Sequence, residues 1–374
     1  MIYVFTTCAL NYFPNARILA HSLRKYLPEA RTVFCITDVP PPGFDAVEEG
    51  FDEYWTLEDL RPQIPDLEQW VFRHDVMELA TAAKPFVLSA LLEREDCDAV
   101  LFFDPDCELH SALPEIQKSV RDHSITLTPH SCIPHTVEPW VFFELNQLKV
   151  GAFNLGFFGV KNDEEGRTFA HWWRHRLKNY CVIDESRHLF TDQKWIDLVP
   201  SYFSSVNVLR SPTYNVARWN SFQRKITRGI EGTVLVDGQP LDFIHYSGFL
   251  KKGTYVRGLY DSKSAEWCED LQVMDELSES YAERLAEDQA RPELSAAFGF
   301  GTYDDGTPIP ADHRDAFRKW PSLQRDFANP FAAGAELRKK IAQLQATAGG
   351  KPKRKSGKPR SIRDKLKKLV GTIS

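Results

Sequence analysis

Cysteine is sparse and unpatterned in this chain: the seven residues at 8, 35, 97, 107, 132, 181 and 268 form no C-x-x-C pair and no dense framework. That excludes a disulfide-stapled scaffold and a zinc cluster, and it fits a reducing cytoplasm. Long apolar runs are missing as well. No window approaches roughly 18 uninterrupted apolar residues, and the opening MIYVFTTCALNYF has no basic segment ahead of a long apolar one. The expectation is a protein that is neither exported by a standard signal nor membrane-spanning. Positive charge is scarce over most of the length. Residues 351–374 hold ten Lys or Arg against one Asp, so removing that +9 segment from the total of −6 leaves −15 on the rest. An acidic body argues against nucleic-acid binding, which needs a basic face on the folded domain.

What is present is a globular composition: 374 residues, 43% hydrophobic and 12% aromatic, enough for a sizeable core. IYVFTT (2–7) and TVFCITD (32–38) read as buried strands, and NARILAHSLRKYL between them has Ile18, Leu19, Leu23 and Leu27 at helical spacing. The segment DVMELATAAKPFVLSALLERE reads as a helix with an irregularity at Pro85, and AVLFFD reads as the next strand. FNLGFFGVK (153–161) and LDFIHYS (241–247) read as strands; GRTFAHWWRHRLKNY and TDQKWIDLV read as helices. This alternation predicts an α/β fold with a mostly parallel central sheet covered on both faces, whose ligands bind at the carboxyl ends of the strands. An acidic amphipathic helix, AEWCEDLQVMDELSESYAERLAED, and a last helical piece, FAAGAELRKKIAQLQATA, follow. We expect a catalytic domain over 1–255, a helical and irregular extension over 256–348, and a flexible basic tail over 349–374.

The stretch VLFFDPDCEL puts Asp104 and Asp106 at a strand end, where two carboxylates suit a hard divalent cation such as Mg²⁺ or Mn²⁺. The same D-P-D is equally an ordinary turn. Other residues bear on the choice. Asn11 and Tyr12 stand after the first strand, where a planar base would stack. Lys84 lies on the helix before the D-x-D strand, and His245, Gly248 and Lys251 form H-x-x-G-x-x-K after another strand. An imidazole, a glycine allowing close backbone approach and a lysine make chemical sense around a metal diphosphate. For TDQKWIDL the plain alternative is a helix start, with Thr191 capping and Asp192 complementing the dipole.

The ordered set D-x-D, F-N-x-G, D-Q and H-x-x-G-x-x-K resembles the retaining family-eight glycosyltransferases of the GT-A (Rossmann-like) fold, which include glycogenin and bacterial lipopolysaccharide galactosyl- and glucosyltransferases. The resemblance covers about residues 1–255. It implies Asp104, Asp106 and His245 as Mn²⁺ ligands and Lys251, with Gly248 beside it, at the donor diphosphate. It implies Asn11, Tyr12 and Thr6 at the nucleotide, Lys84 at donor sugar and phosphate, and Asn154, Asp192 and Gln193 lining the donor sugar and the reaction centre. Thr6, Thr7 and Cys8 stand where the family carries acidic residues, and Lys252–Gly253 follow Lys251 in place of Pro-Trp. These departures leave nucleotide and sugar open, UDP being the family's usual nucleotide. The implied activity is transfer of a hexose from a UDP-sugar to a glycan or lipid-linked acceptor with retention, in cell-envelope polysaccharide or glycolipid assembly. The alternative is a catalytically silent nucleotide-sugar-binding module at the membrane.

Several conspicuous residues carry less. HWWRHRL (171–177) at helical spacing is more often core than a sugar platform, lone histidines such as His130 and His135 are usually structural, and Cys107 reads as a buried thiol. In the tail, Ile362, Leu366, Leu369 and Val370 share one helical face ringed by Arg363, Lys365, Lys367 and Lys368. That is the layout of a short interfacial helix, which would place a cytoplasmic enzyme peripherally on an anionic inner membrane face; a solvated tail is the plain alternative.

Overall fold

A computed structural model of the chain describes residues 1–134, 141–247, 272–289, 291, 294 and 297–347. The tail, the expected 255/256 boundary, His135, Gly248 and Lys251 lie outside the described residues. Contacts divide the chain into two compact units, the second beginning at Thr302.

The first unit opens with β1 (Ile2–Cys8), α1 (Phe13–Tyr26) and β2 (Arg31–Ile36), followed by β3 (Glu53–Trp55), α2 (Leu67–Phe72) and α3 (Val76–Leu92). Next come β4 (Ala99–Phe103), β5 (Cys107–Leu109), α4 (Pro114–Asp122), β6 (Ile125–Pro129), α5 (Val141–Val150), β7 (Phe153–Lys161) and α6 (Glu164–Tyr180). A two-stranded hairpin, β8 (Ile183–Asp184) and β9 (Leu189–Phe190), leads to α7 (Val199–Tyr202) and β10 (Val206–Val208). A small antiparallel sheet of β11 (Ile226–Arg228), β12 (Val234–Val236) and β13 (Gln239–Pro240) precedes β14 (Phe243–His245), and α8 (Gln272–Gln289) follows. The second unit holds α9 (Ala311–Lys319), α10 (Pro321–Asp326) and α11 (Gly334–Thr347).

The central sheet has seven strands in the order β10-β6-β7-β4-β1-β2-β3. β3, β2, β1 and β4 run parallel, β10 pairs parallel with β6, and β7 lies antiparallel between β4 and β6. All five residues of β4 are buried, as expected of a central strand covered on both faces. The period of two along β4 and β7 sends alternate phenylalanines to opposite faces. Phe102 stacks on Phe158, 5.1 Å apart, and Phe158 meets Trp173 of α6. Phe103, Phe157 and Phe243 form the other layer. Trp173 is therefore core, whereas Trp172 packs at the periphery against Tyr202 and Phe203.

Two local expectations change. TDQKWIDLV is a 3-10 turn over Gln193–Leu198 running into the short α7, and Trp173 Nε1 donates to Asp192 O (3.3 Å) where it starts. α3 runs unbroken through Pro85, with its start fixed by a capping box between Asp75 and Glu78. Among the described residues no helix is long and apolar enough to cross a membrane.

Candidate active site

The site assembles at the carboxyl end of β4. The Asp104 N–H donates to Gly156 O (2.9 Å), and the Cys107 N–H donates back to Asp104 O (3.0 Å). Turn and strand-end carboxylate pair are thus one feature: Pro105 closes the bend that presents both aspartates. β5 then leaves the bend and pairs antiparallel with β14 in a register that sets Cys107 opposite His245. That pairing brings the histidine beside the D-x-D.

His245 Nε2 lies 3.1 Å from Asp106 Oδ1 and 3.7 Å from Asp104 Oδ2. Its other nitrogen, Nδ1, faces two amide oxygens, Asn154 Oδ1 at 3.2 Å and Asn215 Oδ1 at 3.3 Å. Amide oxygens only accept, so the Nδ1 proton is fixed there and Nε2 is turned toward the carboxylates. The amide oxygens are oriented in turn: Asn215 Nδ2 donates to Asn154 Oδ1 (2.9 Å) and Thr128 Oγ1 (3.0 Å), and the Gly156 N–H donates to Asn154 Oδ1 (3.0 Å). The F-N-x-G motif also explains its glycine. A Cβ on Gly156 would stand 2.2 Å from His245 Nδ1, so the ring packs directly on this backbone.

The electrostatics favour a cation at this point. Burial raises Asp104 above the usual carboxylate range, with Lys84 and His245 opposing and Asp106 adding to the rise. Burial acts the same way on Asp106, but His245 and Tyr12 outweigh it and hold that carboxyl below its ordinary value. For His245 burial pushes the imidazole down, and Asp106 and Asp104 more than reverse this, so its pKa lies above the ordinary value. Asp106, Cys107 and His245 bring ligand atoms within 4.8 Å of one another. Cys107 contributes least: its thiol donates to Gly156 O (3.5 Å), and burial with the two aspartates pushes its pKa well above the usual range. Two carboxylates and an oriented imidazole suit Mn²⁺ or Mg²⁺ better than a protonated thiol does.

Lys84 projects from α3 into the same cluster, 3% exposed, with Nζ 3.1 Å from Asp104 Oδ1, 2.9 Å from Asp192 Oδ2 and 3.3 Å from Leu155 O. The ammonium also lies 4.3 Å from the Phe102 ring centroid. Burial lowers its pKa, but Asp104 and Asp192 outweigh burial, so the lysine stays charged. Asp192 makes no side-chain cap on the following turn; Thr191, at φ +45°, bends the chain so that the carboxylate faces Lys84. The helix-cap alternative for T-D-Q therefore does not describe this segment. Gln193 Nε2 donates to Val150 O (3.0 Å) and its Oε1 accepts from the Leu155 N–H (3.2 Å). The Leu155 backbone is bracketed, its N–H donating to Gln193 and its C=O accepting from Lys84.

At the end of β1 the expected nucleotide residues separate. Tyr12 donates its hydroxyl to Asp106 Oδ2 (3.1 Å), and Asp106 with burial raises its pKa. Asn11 is exposed on the neighbouring 3-10 turn, and Thr6 is buried in the strand with Oγ1 unpartnered. So Asp104, Asp106, His245, Lys84, Asp192, Gln193, Asn154 and Tyr12 form one connected set, which Asn11 and Thr6 do not join. Sequence reasoning missed Asn215, which holds the left-handed backbone at φ +51° that Asn tolerates. It also missed Trp219, edge-on to both His245 (5.3 Å) and His130 (5.5 Å), and Asp38, buried past β2 and accepting from the Leu10 N–H (3.2 Å) and Gly299 N–H (2.7 Å). The turn residues of SPTYN were the only cue to Asn215.

No family model matches the chain. The uncharacterized proteins YfnF and YfnD of Bacillus subtilis (strain 168) are each 28% identical to it, over 176 and 175 residues. Those alignments span 47% and 46% of this chain and 58% and 54% of theirs, so the chain spans little more than half the length of these curated relatives. Among solved structures it is similar to the galactosyltransferase LgtC in complex with donor and acceptor sugar analogs, at 15% identity and TM-score 0.46 over 78% of this chain and 100% of that one. It is also similar to the glycosyltransferase GlyE of Streptococcus pneumoniae TIGR4, at 15% identity and TM-score 0.42 over 78% of this chain and 64% of that one.

Proposed function

We propose that the chain is a metal-dependent glycosyltransferase that moves a hexose from a UDP-sugar to a hydroxyl of a glycan or lipid-linked acceptor with retention of configuration. The observation that carries this is the single cluster, buried except for the partly exposed Asp104, in which Asp104, Asp106 and His245 face one another and Lys84 and Asp192 join them. Asp106 and His245, with Asp104 beside them, would hold Mn²⁺ or Mg²⁺, which supplies charge stabilisation for a departing diphosphate.

Cleaving a sugar from a nucleotide diphosphate builds negative charge on the leaving phosphate and positive charge at the anomeric carbon. Lys84, kept charged by its two aspartates, supports the first electrostatically from a dry position. Gln193 supports the second: its carbonyl oxygen has a lone pair beyond the Leu155 bond, and its amide is held at both ends. An amide is a poor nucleophile, so double displacement of the kind used by retaining glycosidases is disfavoured. The departing diphosphate takes the acceptor proton on the same face, and Asp192, pinned by Lys84, positions sugar hydroxyls. The resemblance adds Lys251 at the diphosphate and retention as the outcome; the basic tail adds an anionic membrane surface near a lipid-linked acceptor.

The test is nucleotide release from a panel of UDP- and GDP-sugars with and without Mn²⁺, in wild type and Asp106→Ala. Metal-dependent release from one donor, abolished in the variant, is expected. Full activity of Asp106→Ala would remove the metal assignment, and nucleotide binding without release in the presence of acceptor would leave a binding module.

A further inference from the structure

α6 carries a second cluster that the donor-site chemistry does not use. Its inward stripe, Phe169, Trp173 and Leu177, is buried against the sheet. One step around the helix, His171, Arg174, His175 and Lys178 recur at i, i+3, i+4 and i+7 and line a cleft of 360 Å³ whose opposite wall includes Gln63 and Phe86. Four such positions span about 10.5 Å of helix.

Among the described residues no carboxylate lines this cleft. Arg174 donates Nη1 to Gln63 Oε1 (2.5 Å), and Gln63 is itself held by its Nε2 on Phe86 O (3.0 Å). The remaining guanidinium donors of Arg174, and both imidazoles, have no hydrogen-bond partner among the described residues. Lys178 meets Asp66 (3.1 Å), which Arg73 also holds (3.3 Å), so one carboxylate is shared between two cations. A surplus of positive charge on one side of a body of net charge −15 is a local exception. The cleft volume falls in the range of small-ligand sites. A planar guanidinium, an ammonium and two imidazoles along one wall of such a cleft match the several acceptor oxygens of a tetrahedral anion.

We propose that this α6 cleft binds a phosphate group, at a site separate from the donor diphosphate. The phosphate is either free, as inorganic phosphate or pyrophosphate, or carried on a polyol-phosphate chain. The cleft brings oxygens to donors that the fold leaves unpaired, and no bond is made or broken.

The full-length chain, stripped of metal with EDTA, is titrated calorimetrically with inorganic pyrophosphate and with a short poly(glycerol phosphate). One saturable site is expected in wild type. Arg174→Gln should weaken it at least about tenfold, and Arg174→Gln with Lys178→Gln further, since a charge-assisted hydrogen bond is worth at least that factor. UDP binding in the presence of Mn²⁺ should be unchanged in both variants, with an unaltered unfolding midpoint. Tighter binding of pyrophosphate identifies a free anion and tighter binding of the oligomer a phosphate-bearing chain; either supports the cleft. Wild-type affinity in the double variant, or loss of binding in Lys84→Met with the α6 variants unaffected, overturns it. No turnover is read, so the outcome is independent of the proposed transferase activity.

Discussion

Replacing Gly156 with alanine tests the geometry of the site with one methyl group. The added Cβ would stand 2.2 Å from His245 Nδ1, 2.3 Å from its Cε1 and 2.8 Å from Asn154 Oδ1. Ordinary contact between such atoms is about 3.5 Å or more. More than an ångström must be found, and β7 cannot supply it, because it is hydrogen-bonded on both sides to β4 and β6. The imidazole must therefore retreat and lose the bonds that orient Nδ1 on Asn154 and Asn215. Overpacking of this kind costs about 1–3 kcal/mol of stability. Disturbing the partners that orient a metal-binding histidine costs about 10–100-fold in metal affinity. Urea unfolding of the metal-free chain reads the first and calorimetric titration with Mn²⁺ reads the second. A folded Gly156→Ala chain that binds Mn²⁺ as tightly as wild type would refute the placement of His245 as a ligand.

Three further perturbations follow from the same cluster. Lys84→Met leaves the buried Asp192, and the partly exposed Asp104, beside an apolar side chain, so unfolding free energy should fall by about 3 kcal/mol. Because the folded pKa of Lys84 is raised, its contribution is fully present below about pH 10.4 and is lost only above that as pH rises through the folded value. The difference between wild type and variant should accordingly stay level from pH 7 to 9 in denaturant titrations, and a difference that collapses over that range would contradict the pairing. Asn215→Gly keeps the left-handed backbone and loses only the amide, whereas Asn215→Ala loses both; the glycine variant should be the more stable of the two, with Mn²⁺ affinity weakened in each. Equal stability would show that the φ of +51° carries no strain. His130 is buried and pushed down to about 4, so the unfolded chain takes up its proton first as pH falls below about 6.5. That costs stability progressively between about pH 6.5 and pH 4, reaching about 2 kcal/mol at pH 5. In His130→Gln that part of the acid sensitivity should be absent, and an unchanged pH profile would place the acid-labile group elsewhere.

The long, strongly patterned elements were legible in the sequence, and the short ones were not. β7 runs Phe153–Lys161, the span its apolar run predicted, and β1, α1, β4 and α6 appear where periodicity put them. β3, β5 and β10, three residues each, are too short to show a period and are made by pairing with neighbours already in place. The site divides along the same line. D-x-D and H-x-x-G sit at ends of apolar runs, where local composition marks a change of role. Lys84 in a helix is by sequence an ordinary solvated lysine, and only its fully buried position between Asp104 and Asp192 says otherwise.

Gly156 and Asn215 show why the rest was hidden. The glycine is needed because a ring from β14 lies on it, and the asparagine because Asn154 on β7 must be turned toward that ring. Neither requirement exists until β5 and β14 pair in register and bring Cys107 opposite His245. The information that orients the histidine is thus carried by residues whose own neighbours in sequence say nothing of it. Any substitution that shifts the β5–β14 register by one residue would turn His245 to the other face of its strand and leave Asp104 and Asp106 as the bare turn that the sequence equally allowed.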